Sequence, residues 1–127
     1  IDEAKELLNT KPQHLSLNEM YLVANSYPKN SESFKQVFGI ASRIYPDDPI
    51  ARLNTATLSL ENNDIDTAIR QLEGINLPEA WNNLGIAYVH KKEYEKAKIY
   101  FGRAANAGLN TASYNSDQLS KWLDSQQ

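Results

Sequence analysis

The sequence predicts an all-α fold of short helices, and three observations lead to that prediction. Apolar residues recur three and four positions apart along most of the chain, which is the spacing of one helix face. Helix-capping and helix-stopping residues separate these stretches, and alternating strand patterns are almost absent. A segment near the middle also repeats further along the chain. Since 41% of the 127 residues are hydrophobic, the chain is able to bury a core.

The first three predicted helices lie in the first third of the chain. Asp2 to Asn9 forms the first, with Ala4, Leu7 and Leu8 on one face. The sequence "SLNE", Ser16 to Glu19, is a capping box and predicts a second helix that stops before Pro28. The sequence "NSESF" starts the third helix, and its apolar face consists of Phe34, Val37, Phe38, Ala41 and Ile44.

The next two helices follow the sequence "YPDDP". Asp48 is a good N-cap, and Pro49 suits the first helical turn because its missing N–H costs nothing there. The sequence "ENNDID" interrupts this helix. Asp64 is then predicted to cap a short fifth helix that ends at Gly74.

Three further helices complete the chain. Pro78 starts the sixth, "KKE" turns the chain into the seventh, and Gly108 ends it. A final helix from Thr111 carries Leu119, Trp122 and Leu123. Because all connections are short, antiparallel packing of neighbouring helices is the expected arrangement.

Residues 49–75 and 78–104 align without a gap. The first segment reads "PIARLNTATLSLENNDIDTAIRQLEGI" and the second reads "PEAWNNLGIAYVHKKEYEKAKIYFGRA". Small residues coincide, since Ala56 aligns with Gly85 and Ala68 with Ala97. Small residues where two helices cross let the backbones approach closely, and large neighbours fill the remaining space. The pattern therefore predicts stacked helical hairpins.

The second segment resembles a tetratricopeptide repeat (TPR). The residues that match the pattern of this family are Trp81, Leu84, Gly85, Tyr88, Tyr94, Ala97, Phe101 and Ala104. Leu109 stands where a closing proline is often found, and residues 49–75 resemble a degenerate copy. The resemblance implies a TPR-like superhelix, or solenoid, forming one domain over residues 1–127. Its three helical hairpins would span about 16–46, 49–75 and 78–108, with terminal capping helices that include one at about 111–124.

A second resemblance concerns the cellular context. Residues 19–60, with the phrase "IYPDDP", look like the TPR-type C-terminal part of Bacteroidetes envelope proteins of the OmpA-like or fimbria-locus kind. This resemblance implies a periplasmic or outer-membrane-associated location; otherwise the cytoplasm is expected. The polar start of the chain lacks the features of a signal peptide, and we expect the chain to be a fragment of a longer protein.

The sequence offers little for catalysis or for cofactors. Cysteine is absent, and the two histidines, His14 and His90, have no acidic residues at metal-ligand spacing. The sequence "ENNDID" lacks the glycine and the bidentate glutamate of a calcium loop. No enzyme, cofactor or metal function is expected. A net charge of −3 with no basic run argues against nucleic acid, and no apolar run is long enough for membrane insertion.

The resemblance implies a groove lined by the first helix of each hairpin. Glu19, Val23 and Glu79 hold the Lys and Arg places of the carboxylate clamp that some family members use for chaperone tails. That partner is therefore disfavoured, and a peptide with apolar anchors fits better. The candidate groove residues are Ile50, Leu53, Thr57, Leu60, Glu61, Glu79, Asn82, Ile86, Val89 and His90.

Two functional hypotheses follow. The first is a non-enzymatic module that binds a protein or peptide partner in the groove. The second is a structural spacer or homodimerisation domain without a groove ligand, in which Trp122 forms a terminal contact. Trp122 is expected to lie over the last hairpin; the alternative is that a partner buries it.

Overall fold

The computed structural model describes residues 2–29 and 31–127. Ile1, and Asn30 at the start of the "NSESF" sequence, lie outside the described residues. Within these ranges the chain forms eight α-helices and a 3-10 turn at Pro12–His14, with no strand, so the predicted all-α class is confirmed. The helices are α1 (Asp2–Thr10), α2 (Leu17–Asn25), α3 (Glu32–Ile44), α4 (Pro49–Glu61), α5 (Ile65–Leu72), α6 (Pro78–His90), α7 (Tyr94–Asn106) and α8 (Asn110–Ser125).

Contacts within the chain group into two compact units, residues 1–58 and 59–127. The division falls within α4, and therefore within the second predicted hairpin. The single-domain organisation expected from the sequence stays a prediction.

The first unit is built around the hairpin of α2 and α3, with α1 packed against α2. Its apolar core draws on all three helices and on Leu15 in the preceding loop. The hydroxyl of Tyr45 donates a hydrogen bond of 2.6 Å to the carbonyl of Leu15, which fastens the end of α3 to this loop. The buried core residues are Leu8, Leu15, Met20, Val23, Ala24, Val37, Phe38 and Ala41.

Three helices of this unit start at the capping residues that the sequence indicates. The Ser16 hydroxyl accepts from the N–H of Glu19, and the Glu19 carboxylate accepts from the N–H of Ser16, so the capping box is confirmed. The Ser31 hydroxyl caps α3, where it accepts from the N–H of Phe34 without a reciprocal bond. Asp48 caps α4, because its Oδ2 accepts from the N–H of Ala51 at 2.9 Å.

Asp64 stands at the N-cap position of α5, as predicted, but its side chain accepts no capping hydrogen bond. The reason lies in the backbone: Asn63 has a φ of +61°, and the N–H of Asp64 donates to the carbonyl of Ser59 at 2.8 Å. This tight turn leaves Asp64 at φ −94° and ψ 72°, away from the extended conformation that lets a capping side chain reach back to the helix.

The second unit contains α5 to α8, and each of these helices packs against the next. Gly74 and Gly108 follow α5 and α7 with φ values of +81° and +97°, which a residue with a Cβ rarely adopts. The connections are short, and α6 and α7 therefore form a closely packed hairpin. Its buried centre combines Ala97 and Phe101 of α7 with Leu119 of α8.

Candidate functional site

Gly85 is the point of closest approach in the α6–α7 hairpin. A Cβ atom at this position would lie 2.5 Å from two ring atoms of Phe101. Phe101 is itself only 3% exposed, so its ring cannot easily move aside. The hairpin therefore depends on the absence of a side chain at Gly85, as the repeat pattern predicts.

The eight residues of the repeat pattern divide into two groups by burial. Those at the contact between the two helices are fully buried: Leu84, Gly85, Ala97, Phe101 and Ala104. The three larger aromatic residues, Trp81, Tyr88 and Tyr94, are half-buried. Part of each of these three side chains packs inside the hairpin. The rest lies at the surface, where other side chains partly cover it.

Aromatic rings and cations alternate along one side of this hairpin. Tyr88 stacks on Tyr100 with ring centroids 5.6 Å apart and planes 11° from parallel. Lys96 lies over the Tyr88 ring, and Arg103 lies 5.4 Å from the Tyr100 ring and 5.5 Å from the Trp81 ring. Burial, with the nearby Tyr100 hydroxyl, raises the pKa of Tyr88. These contacts stabilise the hairpin and account for its aromatic residues on this side.

The last helix, α8, packs against α7 and also reaches α6. Asn115 donates a hydrogen bond of 3.0 Å from its Nδ2 to the Oδ1 of Asn82, which is 7% exposed. Further along α8, the Trp122 ring lies 4.9 Å from the Tyr94 ring at an angle of 50°. Trp122 therefore lies over the last hairpin, yet it remains 44% exposed.

A cleft of about 380 Å³ opens between α6, α7 and α8. The second half of α6 forms one wall, α8 forms the other, and α7 contributes Tyr94 and Phe101 between them. We call this feature the α6–α8 cleft. The residues that line it are Ile86, Val89, His90, Tyr94, Phe101, Asn115, Gln118, Leu119 and Trp122.

Apolar and aromatic side chains dominate the α6–α8 cleft. No Asp, Glu, Lys or Arg is among its lining residues. Directly after α6, Lys91 places its Nζ 2.7 Å from the Asp66 carboxylate. This hydrogen bond and the attraction between the two charges lower the pKa of Asp66 and raise the pKa of Lys91. The ion pair is exposed to solvent and joins the start of α5 to the end of α6.

The predicted groove residues of α6 have different surroundings. Ile86, Val89 and His90 meet in the α6–α8 cleft. Glu79 is exposed at the start of the helix. Asn82 is buried and bonded to Asn115, so it supports the cleft without lining it.

The predicted groove residues of α4 are divided between the two units. Ile50, Leu53 and Thr57 belong to the first unit, where Ile50 is exposed and the other two are half-buried. Leu60, half-buried, and Glu61, exposed, belong to the second. A groove role for these five residues stays a prediction.

Sequence reasoning did not name Asn115, Gln118 and Leu119 as cleft residues. The signal was present, because these three and Trp122 follow the spacing of one helix face. Asn115 in particular is polar at a position that faces the hairpin. However, α8 lacks the repeat pattern, so the alignment gave no reason to place it beside α6.

Within residues 2–29 and 31–127, no three His, Asp or Glu side chains come together in a group able to hold a metal ion. His14 is exposed in its 3-10 turn. None of the helices in these ranges combines the length and the apolar character needed to cross a membrane.

Comparison with known families agrees with the hairpin geometry. The family model for the tetratricopeptide repeat matches residues 78–107, which cover α6 and α7. No curated protein matches the chain. Tetratricopeptide repeats are typically non-enzymatic and mediate contacts between proteins. The match, the Gly85–Phe101 contact and the buried small residues together show that the chain carries a tetratricopeptide repeat in its α6–α7 hairpin.

Proposed function

We propose that the chain is a non-enzymatic interaction module that binds a protein or peptide partner. Its partner would engage the α6–α8 cleft. The observation that carries this proposal is the cleft itself, which is apolar, open to solvent and next to the repeat. Burial of apolar partner groups there would be favourable by about 25 cal/mol for each Å² removed from water.

Three predicted groove residues support the proposal by their position. Ile86, Val89 and His90 line the cleft and stand on the first helix of the repeat. A peptide that extended beyond the cleft along α6 would next reach Glu79. A binding role for the groove residues of α4, within each unit by itself, is also part of the proposal.

A selection from random peptides tests this function. Peptides enriched on the immobilised chain are synthesised, and their affinities are measured for the wild type, Val89→Glu and Ile99→Glu. Both variants introduce the same charge, but Val89 lines the cleft whereas Ile99 is 61% exposed on α7 and does not line it. We expect binding to be lost with Val89→Glu and kept with Ile99→Glu. Equal loss in both variants, or no enriched peptide, would overturn the proposal.

The alternative is a spacer or homo-oligomerisation domain without a groove ligand. It draws support from two aromatic residues that α8 exposes, Tyr114 at 64% and Trp122 at 44%. They stand eight positions apart, which places them near one stripe of the helix. A second copy of the chain that covers this stripe would explain both exposures and would make Trp122 an intermolecular contact.

We also infer an envelope location from the resemblance of residues 19–60 to Bacteroidetes envelope proteins. The module would then work in the periplasm or at the outer membrane as part of a larger protein. Fractionation of cells of the source organism, with detection by an antibody against this chain, tests the inference. Recovery in the cytoplasmic fraction would contradict it.

A further inference from the structure

The α6–α8 cleft has a more specific chemistry than its apolar character alone. We propose that it is a subsite for one uncharged aromatic side chain, presented by a partner peptide. This inference rests on the proposed function and names the group that the partner inserts. Three properties of the cleft carry it: its size, its lack of charge and its ring-lined walls.

The size of the cleft suits one large side chain. The cleft measures about 380 Å³ and is open on one side. A single large side chain fits this space while its backbone stays at the opening.

Charge complementarity selects an uncharged group. Every charged residue type is missing from the lining, and the polar groups are the amides of Asn115 and Gln118 and the imidazole of His90. An ammonium or carboxylate group that entered would lose its hydration and find no opposite charge. An indole N–H or a phenol hydroxyl would instead find neutral donors and acceptors.

The walls favour a ring over an aliphatic chain. Tyr94 and Trp122 contribute partly exposed aromatic rings to the lining, and Phe101, which is 3% exposed, adds a small part of its ring. The Tyr94 and Trp122 rings are tilted by 50°, so they offer a face and an edge that a third ring can meet. Aromatic pairs in such arrangements are more favourable than their buried area alone predicts. Trp122 is 44% exposed and gains the most cover from an inserted ring.

The hydrogen bond between Asn82 and Asn115 helps to keep the cleft open in its observed form. It joins α6 to α8 next to the cleft, because Asn115 also lines it. Beyond this bond, α6 presents Ile86, Val89 and His90, and α8 presents Leu119 and Trp122. The subsite is therefore formed by the docked position of α8, and a pocket that is already formed before binding costs little reorganisation.

Five capped peptides test the inference on the full chain: acetyl-Gly-Gly-X-Gly-Gly-amide, with Trp, Phe, Leu, Lys or Glu as X. Binding is measured by titration calorimetry and located by amide chemical shifts. We expect the Trp and Phe peptides to bind roughly tenfold more tightly than the Leu peptide. The Lys and Glu peptides should not bind saturably. Shifts should concentrate in residues 82–94 and 115–122.

Two variants separate loss of the subsite from loss of the fold. Val89→Glu places a charge in the cleft, and Gln118→Trp fills the cleft from an exposed lining position without adding a charge. Both variants should bind the Trp peptide roughly tenfold or more weakly than the wild type does, whereas Ile99→Glu should bind it with the affinity of the wild type. Circular dichroism and the melting temperature identify any variant that is unfolded. If one of the two cleft variants is unfolded, the affinity of the other one tests the subsite.

Several results would overturn the inference. One is a Leu peptide that binds as tightly as the Trp peptide, and another is a set of shifts away from the cleft. Free indole that binds more tightly than the Trp peptide would point to a small-molecule ligand. Self-association lost with Gln118→Trp would identify a second copy as the occupant. If these peptides fail but selected peptides bind at the cleft, only this inference fails; if neither binds, the proposed function fails as well.

Discussion

At the scale of single residues, the contact between Gly85 and Phe101 determines how closely α6 and α7 approach. Phe101 fills the space that a side chain at Gly85 would occupy, and the interior around it is closely packed. A glycine within a helix costs roughly 0.5–1 kcal/mol relative to alanine. The closer approach offsets this cost because it lets Phe101 bury all but a small part of its ring.

We predict that Gly85→Ala lowers the free energy of unfolding by roughly 1–3 kcal/mol, since the new methyl group overpacks the contact with Phe101. Gly85→Leu should unfold the hairpin. Gly102→Ala is the matched control, because Gly102 is also helical and a Cβ there meets nothing within 4 Å. The control should be stabilised by roughly 0.5–1 kcal/mol. Urea unfolding measures the free energy of unfolding of all three variants. A Gly85→Leu protein as stable as the wild type would refute the hairpin assignment.

The ion pair between Asp66 and Lys91 predicts a pH dependence. Lys91 lowers the pKa of Asp66 below its usual value of 3.8, so the charged carboxylate favours the folded state. This contribution is present above pH 3.8 and is lost as the pH falls through the lower pKa of the folded state. In Lys91→Met, the Asp66 titration followed by NMR should move up towards 3.8.

A matched substitution tests that assignment. Lys98→Met removes an exposed lysine of α7 that forms none of the observed ion pairs with Asp66, and it should leave the Asp66 titration unchanged. High salt should reduce the difference in the Asp66 pKa between the wild type and Lys91→Met, because the ion pair is exposed and salt screens it. An Asp66 titration that is identical in the wild type and Lys91→Met would show that the pair does not form in solution.

At the scale of elements, the capping residues explain which helix starts the sequence predicts correctly. Asp48 Oδ2 accepts two hydrogen bonds, one from the N–H of Ala51 and one from the Tyr21 hydroxyl at 3.0 Å. Burial, and then this second bond, raise the pKa of Tyr21. Asp64 is the same residue type at the start of α5, but its side chain makes no capping bond.

We therefore expect different effects from the same substitution at two helix starts. Asp48→Ala should lower the free energy of unfolding by about 1–2 kcal/mol, since it removes the cap and the Tyr21 bond. Asp64→Ala should change it by no more than about 0.5 kcal/mol. Chemical unfolding of both variants measures the difference, and equal losses would contradict the cap assignment.

The position of α8 gives a second prediction about an element. Asn115→Ala would leave the buried Asn82 amide without its partner, which costs about 1–3 kcal/mol. Asn106→Ala makes the same chemical change at an exposed position of α7 and is the control. Thermal unfolding compares the stability of the two variants. A loss of stability no larger in Asn115→Ala than in the control would show that this bond does not fix α8 against α6.

The sequence predicts the elements well because their signals are local. Ser16, Ser31 and Asp48 cap their helices from a few residues away, and Gly85 reports a contact that the repeat pattern makes recognisable. Asp64 shows the limit, because the turn at Asn63 decides its backbone conformation. The far wall of the cleft could not be predicted in the same way. It depends on how α8 docks, and α8 does not repeat the pattern of α6.

At the scale of the whole molecule, the oligomeric state distinguishes the proposed function from its alternative. We predict that the wild type is a monomer of 14.3 kDa in solution, with Trp122 left available at the cleft. Light scattering over a range of concentrations measures the molar mass of the wild type and of Trp122→Ala. A wild-type dimer that this substitution converts to a monomer would favour the homo-oligomerisation reading.

The most direct test of the account is to map a selected peptide onto the chain by amide chemical shifts. The account predicts that the shifts concentrate in the second half of α6 and in α8, around Val89 and Trp122, and that Val89→Glu abolishes them. Ile99→Glu should leave the map unchanged. Shifts concentrated around Ile99 on α7, or a map that survives Val89→Glu, would contradict the claim that the α6–α8 cleft is the binding surface.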